Sequence, residues 1–275
     1  MMGVVRELER ARQNGRAVLA ANFYNAETLL AVLKAAKKTG SPVILQTSPA
    51  TLAYLGVEQA CAMACAAAHE LGVRAYVHLD HATDLDLVRR CLALGYDSVM
   101  LDASEADFAT NVAKTREAVA MAHHSGKAVE AELGYVPKLG QSTATAVDFT
   151  TPGQAAAFVE ATGVDLLAVA IGSAHGFYKE APRLDYERLS DIRKAVDAPL
   201  VLHGSSGLGD DQLKRAIERG ICKINFATEI KDTFMRTLKR SLASSDEIDL
   251  RRAFPPAIEA AAELVAAKMC VCKGG

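Results

Sequence analysis

This sequence of 275 residues is short of several things, and each shortage excludes a class. Charge of one sign is missing: 31 basic side chains face 33 acidic ones, for a net charge of −2. That leaves no basic footprint for neutralising phosphates, so no nucleic-acid partner is expected. No apolar run approaches the ~20 residues that cross a bilayer, and LLAVAIG at 166–172 is the sort of run a buried strand makes. The opening residues, MMGVVRELERARQNG, lack the long apolar core of a secretion signal. No membrane partner and a cytoplasmic location are the expectation. Six cysteines, at 61, 65, 91, 222, 270 and 272, are sparse and sit mostly in helical or strand-like stretches. They read as free thiols of a reducing compartment, not as a disulfide frame. No Pro/Gly/Ser linker or shift in composition divides the chain, so 1–275 reads as a single domain. What is abundant is apolar material: half the residues are hydrophobic, which excludes the disordered classes.

That apolar material alternates between two periods. Short β-rich runs at 17–21, 42–46, 74–79, 97–101, 127–132, 166–171, 199–202 and 222–225 are separated by Ala/Leu-rich amphipathic stretches with helical spacing. Those stretches cover 26–38, 58–71, 84–94, 106–124, 152–162, 185–196 and 210–219. Glycine or proline punctuates most junctions, for example Pro42, Gly72, Gly95, Gly126, Gly163, Pro199 and Gly220. Strand–helix alternation gives parallel strands joined by right-handed crossovers. Eight such units in about 230 residues predict an α/β fold, a single (β/α)8 TIM barrel, better than an open doubly wound sheet. An extra helix at about 2–13 precedes the barrel, and helices at 227–243 and 256–269 end it. One stretch breaks the rhythm: 134–151, GYVPKLGQSTATAVDFTT, is long, polar and rich in Thr and Ser. A connection of that length is expected to be functional, often a lid, with an ordinary surface excursion as the plainer reading.

Barrel enzymes gather their chemistry at the C-terminal ends of the strands. In this sequence those ends carry Asn22, Gln46-Thr47-Ser48, Asp80-His81, Asp102, Glu132, His175, His203 and Asn225, whereas the opposite ends show no chemical pattern. Of seven histidines, His69, His123 and His124 lie in helical stretches and read as solvated or capping side chains. His78 lies inside the third strand on the face of Asp80, as a packed or supporting residue. His81, His175 and His203 end strands three, six and seven. Three imidazoles at one barrel mouth suit a catalytic Zn2+, which keeps three protein ligands and one open position. Asp80, beside the first of them, is either a general acid/base or a carboxylate that orients an imidazole. Glu130 and Glu132 share one face of strand five; Glu130 is expected to pair with a Lys or Arg in the barrel. Glu132, nearer the rim, reads equally as metal support and as structure.

Two further segments look suited to an anion. His203-Gly204-Ser205-Ser206-Gly207 follows strand seven, and Asn225-Phe226-Ala227-Thr228 follows strand eight. Each leads into a helix, so backbone N–H groups, hydroxyls and helix N-termini converge where barrel enzymes often hold phosphate.

With those residues in view, the chain resembles the class II, zinc-dependent ketose-bisphosphate aldolases. It lies closest to the tagatose-bisphosphate aldolase branch, with fructose-bisphosphate aldolases as near relatives. The resemblance rests on ANFYNAET (21–28), SPVILQTSP (41–49), HLDHATDLD (78–86), VEAELG (129–134), TGVDLLAVAIGSAHGFY (162–178), PLVLHGSSGL (199–208) and KINFATEIK (223–231). It implies a lyase that reversibly cleaves fructose or tagatose 1,6-bisphosphate, or another ketose 1-phosphate, to dihydroxyacetone phosphate and an aldehyde. By resemblance, the metal ligands fall on His81, His175 and His203, and the acid/base on Asp80. Contacts to the dihydroxyacetone phosphate half fall on Gly176, Gly204, Ser205, Ser206 and Asn225 to Thr228, with Lys179 on the phosphate side. Asn22 and Ser48 match substrate-facing positions, and Arg251 stands where the family has an arginine for the distal phosphate. A monovalent cation, Na+ or K+, near the phosphate loops and assembly as a homodimer or homotetramer are implied by resemblance alone.

The loop after Glu132-Leu133-Gly134 departs from the family, whose members commonly continue with Gly-Gly and acidic residues. Here it runs YVPKLGQSTATAVD, with Asp148 as its one carboxylate and with Tyr135 and Lys138 as new residues. Two other readings compete with a catalytic aldolase. A metal-dependent hydrolase barrel commonly carries His-x-His on its first strand, and strand one here ends in Ala-Ala-Asn. A non-catalytic phosphosugar-binding aldolase subunit would bind the same ligands without turnover.

Overall fold

The computed structural model describes residues 2–137, 149–180 and 182–274. Eight parallel strands close into a barrel in chain order: β1 (Val18–Asn22), β2 (Val43–Thr47), β3 (Ala75–Ala82), β4 (Ser98–Leu101), β5 (Ala128–Leu133), β6 (Leu166–Val169), β7 (Leu200–Leu202) and β8 (Ile221–Phe226). β8 pairs back onto β1, with Leu19 opposite Ile224. The (β/α)8 barrel read from the periodicity is therefore the observed fold.

The helices of the outer ring are α2 (Ala26–Thr39), α3 (Pro49–Leu55), α4 (Val57–Leu71), α5 (Leu85–Ala93), α6 (Phe108–His124), α7 (Pro152–Thr162), α8 (Tyr186–Ala195), α9 (Asp210–Glu218) and α10 (Thr228–Ala243). They are preceded by α1 (Gly3–Gln13) and followed by α11 (Leu250–Ala253) and α12 (Pro255–Cys272). Among the described residues no single helix is long and apolar enough to cross a membrane. Side chains that accept the first free N–H groups set where several helices begin, close behind the strand ends. Asn25 and Thr28 form a reciprocal capping box on α2, and Thr151 and Gln154 form one on α7. The stretch expected as one helix over 58–71 is preceded by α3, and the pair bends by 91° at Gly56, whose φ of 87° only glycine adopts freely.

Two apolar layers hold the barrel. Outside the strands, one continuous cluster packs side chains such as Leu19, Leu45, Leu79, Val99 and Ile224 against the helix ring. Inside, α1 closes the N-terminal end. Its Val4, Val5, Leu8 and Ala11, spaced along one helix face, meet Ala20, Ile44, Ala128, Leu166, Ala168, Val201 and Cys222 from the strand interiors. Nearer the C-terminal end the interior turns polar: His78, Asp80, Glu130, Glu132, His203, Lys223 and Asn225 are all buried.

β3 runs further than the 74–79 expected from sequence. Its pairing with β4 shifts register between Leu79 and Ala82, and His81 there takes φ 50°, the one positive-φ residue besides glycines among the described residues. A regular strand would turn Asp80 and His81 to opposite faces. The irregularity brings both side chains to the barrel mouth, 4.0 Å apart at Asp80 Oδ1 and His81 Nε2. A histidine held in the left-handed region is strained, a condition that concentrates at functional sites.

Candidate active site

The three histidines singled out in the sequence converge. Ring centroids are 4.9 Å apart for His81–His175, 4.7 Å for His81–His203 and 5.8 Å for His175–His203. One donor atom from each, with a carboxylate oxygen of Glu132, lies within 4.8 Å of the others. Behind them stand further carboxylates. Asp102 Oδ2 is 2.7 Å from His81 Nδ1, and Glu130 Oε1 is 2.9 Å from His203 Nε2, while His203 Nδ1 meets Glu132 Oε2 at 2.8 Å. His81 Nε2 is buried and has no hydrogen-bond partner among the described residues.

This donor set fits zinc. Three imidazoles and an oxygen are the ligand chemistry that zinc takes, and His81, with Asp102 on its far nitrogen, is set for ligation. His203 instead carries a carboxylate on each nitrogen, and a bound metal would displace one of them. The orphaned His81 nitrogen aims into the cluster. Asp80 and Asp102 lie against His81, and Glu130 and Glu132 against His203, so the cluster is ringed by carboxylates suited to a divalent ion.

The same crowding sets the protonation of each group. Burial pulls His81 down, but the charge of Asp80 and the hydrogen bond to Asp102 outweigh it and the imidazole ends above its ordinary value. Burial likewise opposes charge on His203, yet the carboxylates of Glu130 and Glu132 on its two nitrogens raise it to about 10. His175 goes the other way, down to about 3, through burial and then the neighbouring His81 and His203. Burial would raise Asp80; the charges of His81, Lys223 and His203 prevail and keep its carboxyl below the usual value. Asp80 is thus a carboxylate at neutral pH.

Asp80 is also held in place. Asn22 Nδ2 donates to its Oδ2 at 2.9 Å and Asn225 Nδ2 to its Oδ1 at 3.3 Å. Each amide is oriented from behind: Gln46 Nε2 donates to Asn22 Oδ1 at 3.1 Å, and Lys223 Nζ to Asn225 Oδ1 at 2.8 Å. The partner expected for Glu130 is Lys223, whose ammonium lies 2.7 Å from Glu130 Oε2. His78 bonds Ser98 Oγ through Nδ1 at 2.8 Å, as a packed residue, and burial followed by the nearby Lys223 lowers it to about 3.

The two expected anion segments lie side by side. Gly204, at φ 64°, passes so close to the loop after β6 that a Cβ would stand 2.4 Å from the Ala174 carbonyl oxygen. Tyr178 stitches these loops, its hydroxyl accepting from Ala174 N at 2.6 Å and donating to Gly204 O at 2.7 Å. Ser206 Oγ accepts the Thr228 N–H at 3.1 Å, joining the loop after β7 to the start of α10. Glu229 accepts from Gly207 N on the same seam. Ser205 turns its hydroxyl to the Leu202 carbonyl. Phe226 is fully buried in the outer apolar layer, so it faces the cradle with backbone only. Ala227, which has a methyl side chain, is the residue before α10. Gly176 follows His175 at φ 109°, and Lys179 is exposed three residues on.

Three expectations fare differently. Ser48 is the N-cap of α3, with its Oγ 3.3 Å from Thr51 N, a structural use of its hydroxyl. Arg251, on α11, is not brought to the cluster: its side chain is 90 % exposed and both of its guanidinium contacts go to Asp249. In the long connection after β5, Lys138 and Asp148 lie outside the described residues. Its root is tied to the site, since Val136 N donates to Glu132 Oε1 at 3.1 Å and His175 N to Pro137 O at 2.8 Å. Asp102 stood among the strand-end residues expected to carry chemistry, with no particular role, and Lys223 and Tyr178 were not singled out. A lysine two residues before Asn225 in an otherwise apolar strand was the available signal for Lys223; Tyr178 had none.

Comparison with known proteins agrees with this geometry. Residues 4–274 match the family described as fructose-bisphosphate aldolase class II. The YdjI aldolase from Escherichia coli K12 is similar at 34% identity, with 98% of this chain and 97% of that one covered and a TM-score of 0.88. A candidate fructose-1,6-bisphosphate aldolase from Coccidioides immitis is similar at 30% identity, covering 98% and 95%, with a TM-score of 0.89. A fructose-bisphosphate aldolase from Campylobacter jejuni shares the fold at 23% identity and a TM-score of 0.84, covering 98% and 93%. A match that runs nearly the whole length of the chain, over a barrel whose rim gathers three histidines beside a held carboxylate, makes the protein a member of the class II aldolase family of zinc-dependent lyases.

Proposed function

We propose that residues 1–275 act as one aldolase domain that reversibly cleaves a ketose 1,6-bisphosphate, of the fructose or tagatose configuration, to dihydroxyacetone phosphate and glyceraldehyde 3-phosphate. The observation that carries this reading is the convergence of His81, His175 and His203 beside Asp80 at the mouth that the two glycine-serine and asparagine-threonine loops overlook. In this reading His81, His175 and His203 hold the zinc, with Glu132 in support. Bound there, zinc supplies Lewis acidity toward the ketose carbonyl.

The rest is the work of the chain's own groups. Asp80 takes the proton of the C4 hydroxyl as C3–C4 breaks and returns it on condensation; the electron pair of that bond stays on C3, which takes up a proton from a second donor to give dihydroxyacetone phosphate. Asn22 and Asn225 present their N–H groups to the two Asp80 oxygens, which fixes the carboxylate without protonating it. The C1 phosphate is received by Gly176, Gly204, Ser205, Ser206 and the backbone of 225–228, with Lys179 contributing charge from the loop after β6. No lysine need form a covalent adduct, and Lys223 is engaged with Glu130 and Asn225. A monovalent cation, Na+ or K+, beside these loops and assembly as a homodimer or homotetramer belong to the same reading.

A second reading, cleavage of a different ketose 1-phosphate, is favoured by the position of Arg251. Its guanidinium pairs with Asp249 at the surface and is not brought to the histidine cluster. Release of dihydroxyacetone phosphate by zinc-loaded protein, measured across fructose bisphosphate, tagatose bisphosphate and several ketose 1-phosphates, decides between them. Chelation with EDTA abolishes that release and zinc restores it. Absence of turnover on every one of these sugars would overturn both readings.

A further inference from the structure

The buried lysine inside the barrel has no part in the chemistry just described, yet it touches both halves of the site. Lys223 is fully buried on β8. Its ammonium donates to Asn225 Oδ1 at 2.8 Å and pairs with Glu130 Oε2 at 2.7 Å. We propose that Lys223 is a positioning residue: it locks the Asn225 carboxamide with its N–H toward Asp80, with Glu130 balancing its charge. The inference rests on the aldolase reading, in which Asp80 moves the proton.

The reason lies in what each side chain can donate and accept. A carboxamide has nearly the same shape in its two flipped orientations, so only its partners choose between them. Lys223 has donors and no acceptor, so it tolerates the Asn225 oxygen and rejects the nitrogen. The nitrogen must then face Asp80 Oδ1, at 3.3 Å. Turned over, the amide would set its oxygen against a carboxylate oxygen, and Asp80 would lose a donor and be pushed from its place. On the other side Gln46 Nε2 donates to Asn22 Oδ1, but Gln46 is itself a carboxamide with an acceptor as well as donors. Asp80 is therefore gripped by two amides, and only Asn225 has behind it a group that can donate but not accept.

Packing alone does not explain an ammonium and a carboxylate at this depth. Removing two charges from water costs more than apolar packing of the same volume, and the strand positions nearer the barrel floor are filled by apolar residues. Glu130 in turn accepts from His203 Nε2 at 2.9 Å through its other oxygen, so that oxygen keeps a partner when Lys223 is replaced.

The test is Lys223→Met in the full chain, loaded with zinc. On the sugar that the wild-type protein cleaves best, kcat falls ~100-fold, the scale at which a misplacement of about an ångström is felt, while KM moves little and zinc content stays that of wild type. A crystal structure of the variant then shows Asn225 no longer within hydrogen-bond distance of Asp80. If Lys223→Met does not fold, the neutral pair Lys223→Met with Glu130→Gln is read in the same way. Wild-type kcat in the variant, or an Asn225–Asp80 contact that survives there, overturns the proposal. So does a loss of activity fully accounted for by loss of zinc. The crystal structure reads the Asn225 orientation independently of turnover, whereas wild-type protein that cleaves none of the sugars tried overturns the aldolase reading on which the kinetic part of the inference rests.

Discussion

The two ends of the barrel interior are built on opposite principles. The floor, where Val4, Val5, Leu8 and Ala11 of α1 meet Ala20, Ile44, Ala128, Leu166 and Val201, is apolar throughout. The upper interior holds His78, Asp80, Glu130, Glu132, His203, Lys223 and Asn225, all buried and joined by hydrogen bonds or ion pairs. Apolar burial stabilises at about 25 cal/mol per Å² and asks for no particular partner. Charged groups at the same depth return little net stability unless every one is matched. The floor therefore holds the barrel together, and the rim uses that rigidity to keep three carboxylates, two histidines and a lysine where water would otherwise separate them.

Substitutions at the two ends should then fail in different ways. The largest effect belongs to the rim. Asp80→Ala removes the proton acceptor and is expected to lower kcat by ~10²–10⁴-fold, the usual worth of a positioned acid/base. Thermal stability and zinc content should hardly change. Near-normal rates in that variant would remove Asp80 from the reaction. At the floor, Leu8→Ala empties a fully buried position and should cost about 2–5 kcal/mol of stability. Its kcat, measured below the unfolding transition, should match wild type; a matching loss of kcat would mean that the two ends are not separable.

A smaller effect separates the imidazoles from their supports. Asp102 touches His81 Nδ1 and also accepts from Ser104 N and Oγ, so it is bound on both oxygens. Asp102→Asn is nearly isosteric, and it should weaken zinc binding by ~10–100-fold, the range found when a carboxylate behind a metal-bound histidine is lost. Competition with a chelator of known affinity measures this directly. An unchanged affinity would show that the bulge at His81 alone fixes the ring.

How much of this was legible follows from the range over which each signal acts. Strand–helix alternation is local, so all eight strands and the closing helices could be read, and the barrel rule then carried His81, His175, His203 and Asp80 to one rim. The bulge that turns His81 beside Asp80 depends on how β3 pairs with β4, and nothing in HLDH announces a φ of 50°. Asp102 looked like any strand-end aspartate until β4 placed it 2.7 Å from His81. Lys223 and Glu130 sit 93 residues apart in the chain, and only closure of the barrel makes them a pair. Ser48 was expected to face substrate, and the structure gives its hydroxyl another use.

Ser48 stands at a strand end, where the barrel rule favours contact with substrate, and directly before Pro49, where helix rules favour a cap. In the structure its Oγ accepts from Thr51 N, with the Thr51 hydroxyl 3.2 Å away, and Pro49 occupies the first position of α3. A capping hydroxyl replaced by alanine typically costs about 1 kcal/mol. Ser48→Ala should therefore lower the unfolding temperature by a few degrees at most, the shift that such a free-energy loss gives in a chain of this size. KM for the ketose phosphate should stay at the wild-type value if capping is the whole role of the hydroxyl. A rise in KM with no change in melting temperature would reverse the assignment, giving the hydroxyl to the substrate and leaving α3 to be started by Pro49, whose fixed φ suits the first turn without a cap.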